Sequence, residues 1–161
     1  MKFPSLRLFL LIVASIIAAD QFTKWLIVRH FIEPNTHESI VWIPNYLQII
    51  YRLNEGIAFS FFRGHPWIIT AFSSTVALGV CIWSHRLKGG ELILRWPLGL
   101  ILGGAIGNLI DRYRIGQVID FIDAHWGDEG YPFPTFNVAD SAICIGMGLL
   151  ILLSFRASEQ K

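Results

Sequence analysis

Two aspartates stand in company that makes them candidates for chemistry: Asp120 in GQVIDFID, and Asp140 in FNVADSAI, where it opens a strongly apolar run to Phe155. Val118, Ile119, Phe121 and Ile122 surround the first, and Phe136, Asn137 and Val138 precede the second. Carboxyl groups held among apolar neighbours where water meets lipid are in a setting able to raise a pKa. If the two approach within about 4 Å, their repulsion at an effective dielectric of about 20 is roughly 4 kcal/mol, so one keeps its proton at neutral pH. One acid and one base result. The ionised partner can deprotonate a shared water while the protonated one polarises a carbonyl and later helps protonate a leaving amine, which is the logic of aspartic proteases.

Other polar residues group by helical spacing. Asp20 and Lys24 are four apart and share a helix face. A lone charge at the centre of a membrane helix costs about 2.5 to 3.5 kcal/mol, so these two are expected to pair as a brace. Asn108, Asp111 and Arg112 share a face in the same way. Arg112 cannot lose its proton, and its fork suits an acid, a substrate carbonyl or a headgroup. Asp123, Asp128 and Glu129 fall with His125 in a polar stretch read as a solvated loop. Neither HExxH nor any clustered His/Cys spacing occurs, so no metal site and no cofactor are expected. Ser141 as a nucleophile with Lys24 as base is a weaker enzyme reading, since Asp20 one turn away holds Lys24 charged.

The elements that must position these groups are membrane helices. The chain has 161 residues, 53% of them hydrophobic and only 16% charged, too apolar for an ordinary soluble domain and short enough for one domain spanning 1–161. Apolar runs at about 8–28, 67–83, 96–110 and 139–155 predict four transmembrane helices. A run of 17 residues reaches roughly 25 Å, enough to cross a bilayer with help from its flanks. A net charge of +1 points to no nucleic-acid partner. Lys2, Arg7, Arg86, Lys88, Arg95, Arg156 and Lys161 mark one set of helix ends as cytoplasmic, which puts both termini inside. The basic residues ahead of a short apolar run ending in Ala18-Ala19 also fit a cleaved signal peptide, but the apolar character resumes at Trp25 to Val28. An intact first helix is therefore expected.

Two insertions break the helical pattern on the outer side, at about 29–66 and 111–138. The first is rich in β-branched and aromatic residues and predicts a small sheet lying on the membrane surface. The second, punctuated by Gly116, Gly127, Gly130, Pro132 and Pro134, is too irregular to be helical throughout. Gly99, Gly103 and Gly107, spaced four apart in the third helix, favour close helix packing within the chain. Cys81 and Cys144 fall near opposite ends of their helices and read as core thiols.

The run GGAIGNLIDRYRIGQVIDFIDAHW, followed by FPTFNVADSA, closely resembles the prokaryotic lipoprotein signal peptidase family, also called signal peptidase II. DQFTK in the first helix and NEGIAFS in the first insertion match it too, in the family's order over nearly the whole chain. The resemblance implies a four-helix membrane bundle with a small extracytoplasmic β-cradle and an extracytoplasmic loop. It further implies an intramembrane aspartyl endopeptidase that cleaves prolipoproteins just before a lipobox cysteine carrying diacylglycerol. The catalytic pair would be Asp120 and Asp140, with Asn54, Asn108, Arg112 and Asn137 contacting or supporting substrate, and Asp20, Lys24 and Asp111 more structural. The setting would be a bacterial inner membrane, with lipids as neighbours, a monomer as the unit and the site near the extracytoplasmic face. Ile57 and Ile119 stand where smaller or differently branched apolar residues are common, and HWGDEGY lengthens the loop before FPTFN.

The alternative from another class is a small ion- or proton-coupled transporter, because intramembrane acids also mark relays. It would place acids near the midplane of several helices.

Overall fold

The structure is a computed structural model that describes residues 5–55, 66–125 and 133–158. Four of its helices are long and apolar enough to cross a membrane. They are α1 (Leu6–His30), α2 (Pro66–Arg86), α3 (Arg95–Ile115) and α4 (Val138–Ser158), and a 3-10 turn at Gly89–Leu94 leads into α3. Three strands, β1 (Ile40–Ile43), β2 (Leu47–Asn54) and β3 (Val118–Ala124), form one antiparallel sheet in the order β1-β2-β3. Ile57, Asp128, Glu129 and everything in the HWGDEGY stretch beyond its opening His125 lie outside the described residues.

All four helices run further than their apolar stretches, the third most of all. The third continues past residue 110 to Ile115 because its later polar residues, Asn108 and Asp111, turn into the bundle and are buried there. It stops at Gly116, whose φ of 77° closes a left-handed cap with its amide on the Arg112 carbonyl. The first continues to His30, with the Arg29 guanidinium 4.3 Å from the centre of the Trp25 ring.

The larger departure from the sequence reading is β3. Residues 111–138 are not helical throughout, as expected, and they hold a strand that the sequence does not announce: Val118 to Ala124 pair with β2, from Asn54 opposite Val118 to Leu47 opposite Ala124. Val118, Ile119, Asp120 and Phe121 are all buried, so the strand lacks the in-out alternation that marks a half-exposed one. Its far edge is covered, since Phe136 exchanges backbone hydrogen bonds with Ile122. Asp123 is therefore not a free loop residue. It accepts a 2.6 Å hydrogen bond from Gln48 Nε2 across the sheet.

The third helix is the hub. In its apolar window 56% of residues are buried inside the protein, against 17%, 11% and 17% for α1, α2 and α4, whose remaining faces are left for lipid. Lipid tails are as apolar as leucine, so helices in a bilayer associate through close packing and polar contacts. Close packing is visible at the small residues of α3. A side chain on Gly103 would meet Ile16 Cβ at 2.8 Å, and one on Gly104 would run into the Ala139 carbonyl. The glycine spacing thus serves packing within the chain. Cys144, by contrast, is exposed on the outside of α4 and is no core thiol. A second cluster of Ile27, Phe31, Ile49, Ile119 and Phe121 fixes the sheet against the end of α1.

Candidate active site

The start of α4 sets the first carboxylate. Asn137 is the residue before the helix, and its Oδ1 accepts the amide proton of Asp140 at 2.9 Å. In return Asp140 Oδ2 accepts the amide proton of Asn137 at 3.2 Å. This reciprocal pair satisfies two donors that a helix start leaves free, and it stops the Asp140 side chain from turning away. A third such donor, the Ala139 amide, is taken by Asp20 Oδ1 of α1 at 3.0 Å. The first turn of α4 is also where the helix dipole favours negative charge. Asp140 itself is half-buried.

The second carboxylate comes from β3. Asp120 is fully buried, and Asn54 Nδ2 of β2 donates to its Oδ2 at 2.8 Å. Asn137 Nδ2 donates to its Oδ1 at 2.8 Å. Strand β3 is held in place one residue earlier, where the Ile119 amide donates to Asp111 Oδ2 at 3.2 Å. Burial pushes the Asp120 carboxyl up to about 6, and the charge of Asp140 acts in the same direction. The two asparagine hydrogen bonds pull against that rise.

Behind the pair lies a buried polar cluster joining α1 and α3. Lys24 Nζ is 2.9 Å from Asp20 Oδ2, 2.7 Å from Asp111 Oδ2 and 3.0 Å from Asn108 Oδ1. Asn108 Nδ2 then donates to Asp140 Oδ1 at 2.7 Å, and Asn108 Oδ1 also accepts from Asn137 Nδ2 at 3.1 Å. The pairing of Asp20 with Lys24 expected from their spacing is present, and Asp111 makes it a triad. Gln21 was not singled out in the sequence. Its Nε2 touches Asp20 Oδ2, the Gly107 carbonyl and Asp111 Oδ1 at 3.2, 3.2 and 3.0 Å. The only signal for it was its place inside the DQFTK stretch.

Arg112 reaches the same region from α3 and interacts electrostatically with Asp140, Asp111 and Asp120. With Asn108 and Asp140 it lines a cavity of about 230 Å³ whose other walls are Phe72, Ser73 and Val76 of α2, Ile101 and Ala105 of α3, and Ile143 of α4. The cavity is polar where the carboxylate stands and apolar along the helices. All nine residues proposed from the sequence for the site and its support thus gather at the sheet end of the bundle. Ser141, the alternative nucleophile, instead donates from Oγ to the Asn137 carbonyl at 3.0 Å, and Lys24 is fully occupied elsewhere.

Known proteins share both sequence and fold with this chain. The family profile described as signal peptidase (SPase) II matches residues 12–156. The lipoprotein signal peptidase of Syntrophotalea carbinolica is 42% identical over 159 residues, covering 97% of this chain and 96% of that protein. That of Geobacter sulfurreducens is 40% identical over 161 residues, covering 98% of each. Among solved structures, a bacterial membrane enzyme obtained by the in meso method at 2.3 Å superposes with a TM-score of 0.85 at 29% identity, covering 99% of this chain and 94% of that one. A second, at 1.9 Å, gives 0.81 at 29% identity with 96% of both chains covered. Matched by that profile over most of its length and by full-length relatives at about two residues in five, the chain belongs to the signal peptidase II family.

Proposed function

We propose that this protein is an aspartic endopeptidase of a bacterial inner membrane that removes signal peptides from prolipoproteins, cutting before a lipobox cysteine that carries diacylglycerol. The observation that carries the reading is the pair of carboxylates, Asp120 and Asp140, both hydrogen-bonded to Asn137, with Asp140 standing beside Asn108 and Arg112 at the polar end of a cavity walled mostly by apolar helix residues. Membership of the signal peptidase II family supports peptide hydrolysis in a membrane, and favours it over the transporter alternative.

In the proposed reaction the two carboxyl groups share one proton. The ionised one takes a proton from a water molecule, and the water oxygen attacks the carbonyl carbon of the residue before the cysteine. The protonated one hydrogen-bonds the carbonyl oxygen as negative charge develops there. When the tetrahedral adduct collapses, the C–N bond breaks and the cysteine nitrogen takes a proton from a carboxyl group. Asn54, Asn108 and Asn137 hold the pair, and Arg112 offers a fixed positive charge to the substrate backbone or headgroup.

The sheet end faces the extracytoplasmic side in this reading and both termini lie in the cytoplasm, as the distribution of Lys and Arg favours. The chain acts as a monomer among membrane lipids, and the signal peptide lies along the apolar part of the cavity. Each buried methylene contributes about 0.8 kcal/mol, so two acyl chains anchor the scissile bond at the depth of the aspartates. Cleavage of diacylated and unmodified preprolipoprotein by the purified protein in one detergent tests this. A much higher kcat/KM for the diacylated substrate is expected; equal values, or cleavage of neither, would contradict it.

A further inference from the structure

We propose that Lys24 is a positioning residue for both aspartates, acting through the side-chain amide of Asn108. The inference rests on the reading of Asp120 and Asp140 as the catalytic pair. It starts from an asymmetry of hydrogen bonding: an ammonium group has three protons to give and nothing with which to accept. Lys24 Nζ directs them to Asp20 Oδ2, Asp111 Oδ2 and Asn108 Oδ1, and is itself buried. The oxygen of the Asn108 amide must therefore face Lys24, and its nitrogen must face the other way, onto Asp140 Oδ1 at 2.7 Å.

The same oxygen accepts from Asn137 Nδ2, which also donates to Asp120 Oδ1. Lys24, with Asn137 Nδ2, thus sets the direction of the Asn108 hydrogen bond to Asp140, and through the shared Asn108 oxygen it buttresses the Asn137 amide that donates to Asp120, whose direction the Asp140 amide and the Ile119 carbonyl also fix. An Asn108 amide turned through half a revolution would put its oxygen against the oxygens of Asp140 and disfavour the ionised state needed for a base. Neither Asp20 nor Asp111 can replace Lys24 in this role, because a carboxylate offers Asn108 Oδ1 no proton. A brace between α1 and α3 would need only the ion pairs; the third contact, to Asn108, serves the site.

The charged groups that act on the pair are Lys24 from α1 and Arg112 from α3; Asp20 and Asp111 are paired with Lys24, and Arg52, opposite Asp120 in the β2–β3 register, is exposed. The test is the pH profile of kcat/KM for Lys24→Met, measured in single turnover on diacylated substrate, alone and combined with Asn108→Ala. Lys24→Met should lower kcat with KM little changed and move the acid limb of the profile upward by about one pH unit, the scale of a lost hydrogen bond to a charged group. In the Asn108→Ala background the same change should add a clearly smaller shift, the part that the Lys24 charge exerts on Asp120 directly. Should Lys24→Met fail to accumulate, Lys24→Met with Asp20→Asn keeps the native net charge of the cluster and should show the same shift. An unmoved acid limb in folded protein, or equal shifts with and without Asn108, would overturn the proposal. An active Asp120→Asn enzyme would instead overturn the underlying reading of the site.

Discussion

Asn137 and Asp140 hold one another: the side-chain oxygen of each accepts the backbone amide proton of the other, at 2.9 and 3.2 Å. The helix cap and the candidate catalytic carboxylate are thus one local structure. Because the Asn137 side chain also donates to Asp120 at 2.8 Å, the cap couples both acids.

Replacing Asn137 should therefore damage stability and chemistry together, in unequal measure. Asn137→Ala removes the cap, at a cost of about 1 kcal/mol, while leaving Asp120 one donor short and Asp140 free to turn. A modest fall in Tm with at least a tenfold loss of kcat is expected. Thermal denaturation and steady-state kinetics on one preparation check this; a loss of kcat no larger than the loss of folded protein would contradict it.

The small residues of α3 should behave in the opposite way. Gly103→Leu drives a branched side chain into Ile16, and Gly104→Ala sets a methyl against the Ala139 carbonyl, one residue from the carboxylate-bearing turn. Both should reduce accumulation and Tm by separating helices that meet closely. The measurement is yield and Tm in a fixed detergent. Normal values for Gly103→Leu, with turnover lost, would show that the glycine serves chemistry rather than packing.

Much of this architecture is legible in the sequence, for a physical reason: a spanning helix must be apolar over most of its length, so its run is visible whatever it packs against. The helix ends are less legible. Asn108 and Asp111 look like the end of a span, yet they extend α3 because their polar groups are satisfied inside the bundle. The hidden strand has the same cause, since β3 is buried on both faces and carries an aspartate at its centre, and neither alternation nor composition announces it. An acid pair could be inferred from Asp120 and Asp140 as residue types. How they are joined could not, because Asn137 reaches Asp120 across 17 residues, and Gln21 reaches Asp111 across 90.

The buried state of Asp120 gives a pH prediction. Its folded pKa is raised from 3.8 to about 6, so its contribution to stability is fully present below 3.8 and is lost as pH rises through 6. The loss amounts to roughly 3 kcal/mol once the group is ionised. Asp120→Asn cannot ionise, so its Tm relative to the native protein should rise between pH 4 and pH 8. A difference in Tm that stays constant, or falls, over that range would contradict the assignment.

The central claim is that Asp120 and Asp140 work as one catalytic unit, and kcat for Asp120→Asn, Asp140→Asn, the double variant and Asp123→Asn tests it most directly, with folding checked by thermal denaturation. An amide keeps the shape of each carboxyl but can neither take a proton from water nor alternate as acid. Both single variants should be folded and nearly inactive, and the double variant scarcely worse than either, as expected of groups that act together. Asp123→Asn, whose side chain can still accept from Gln48, should keep close to native activity. An inactive Asp123→Asn beside an active Asp140→Asn would contradict the account.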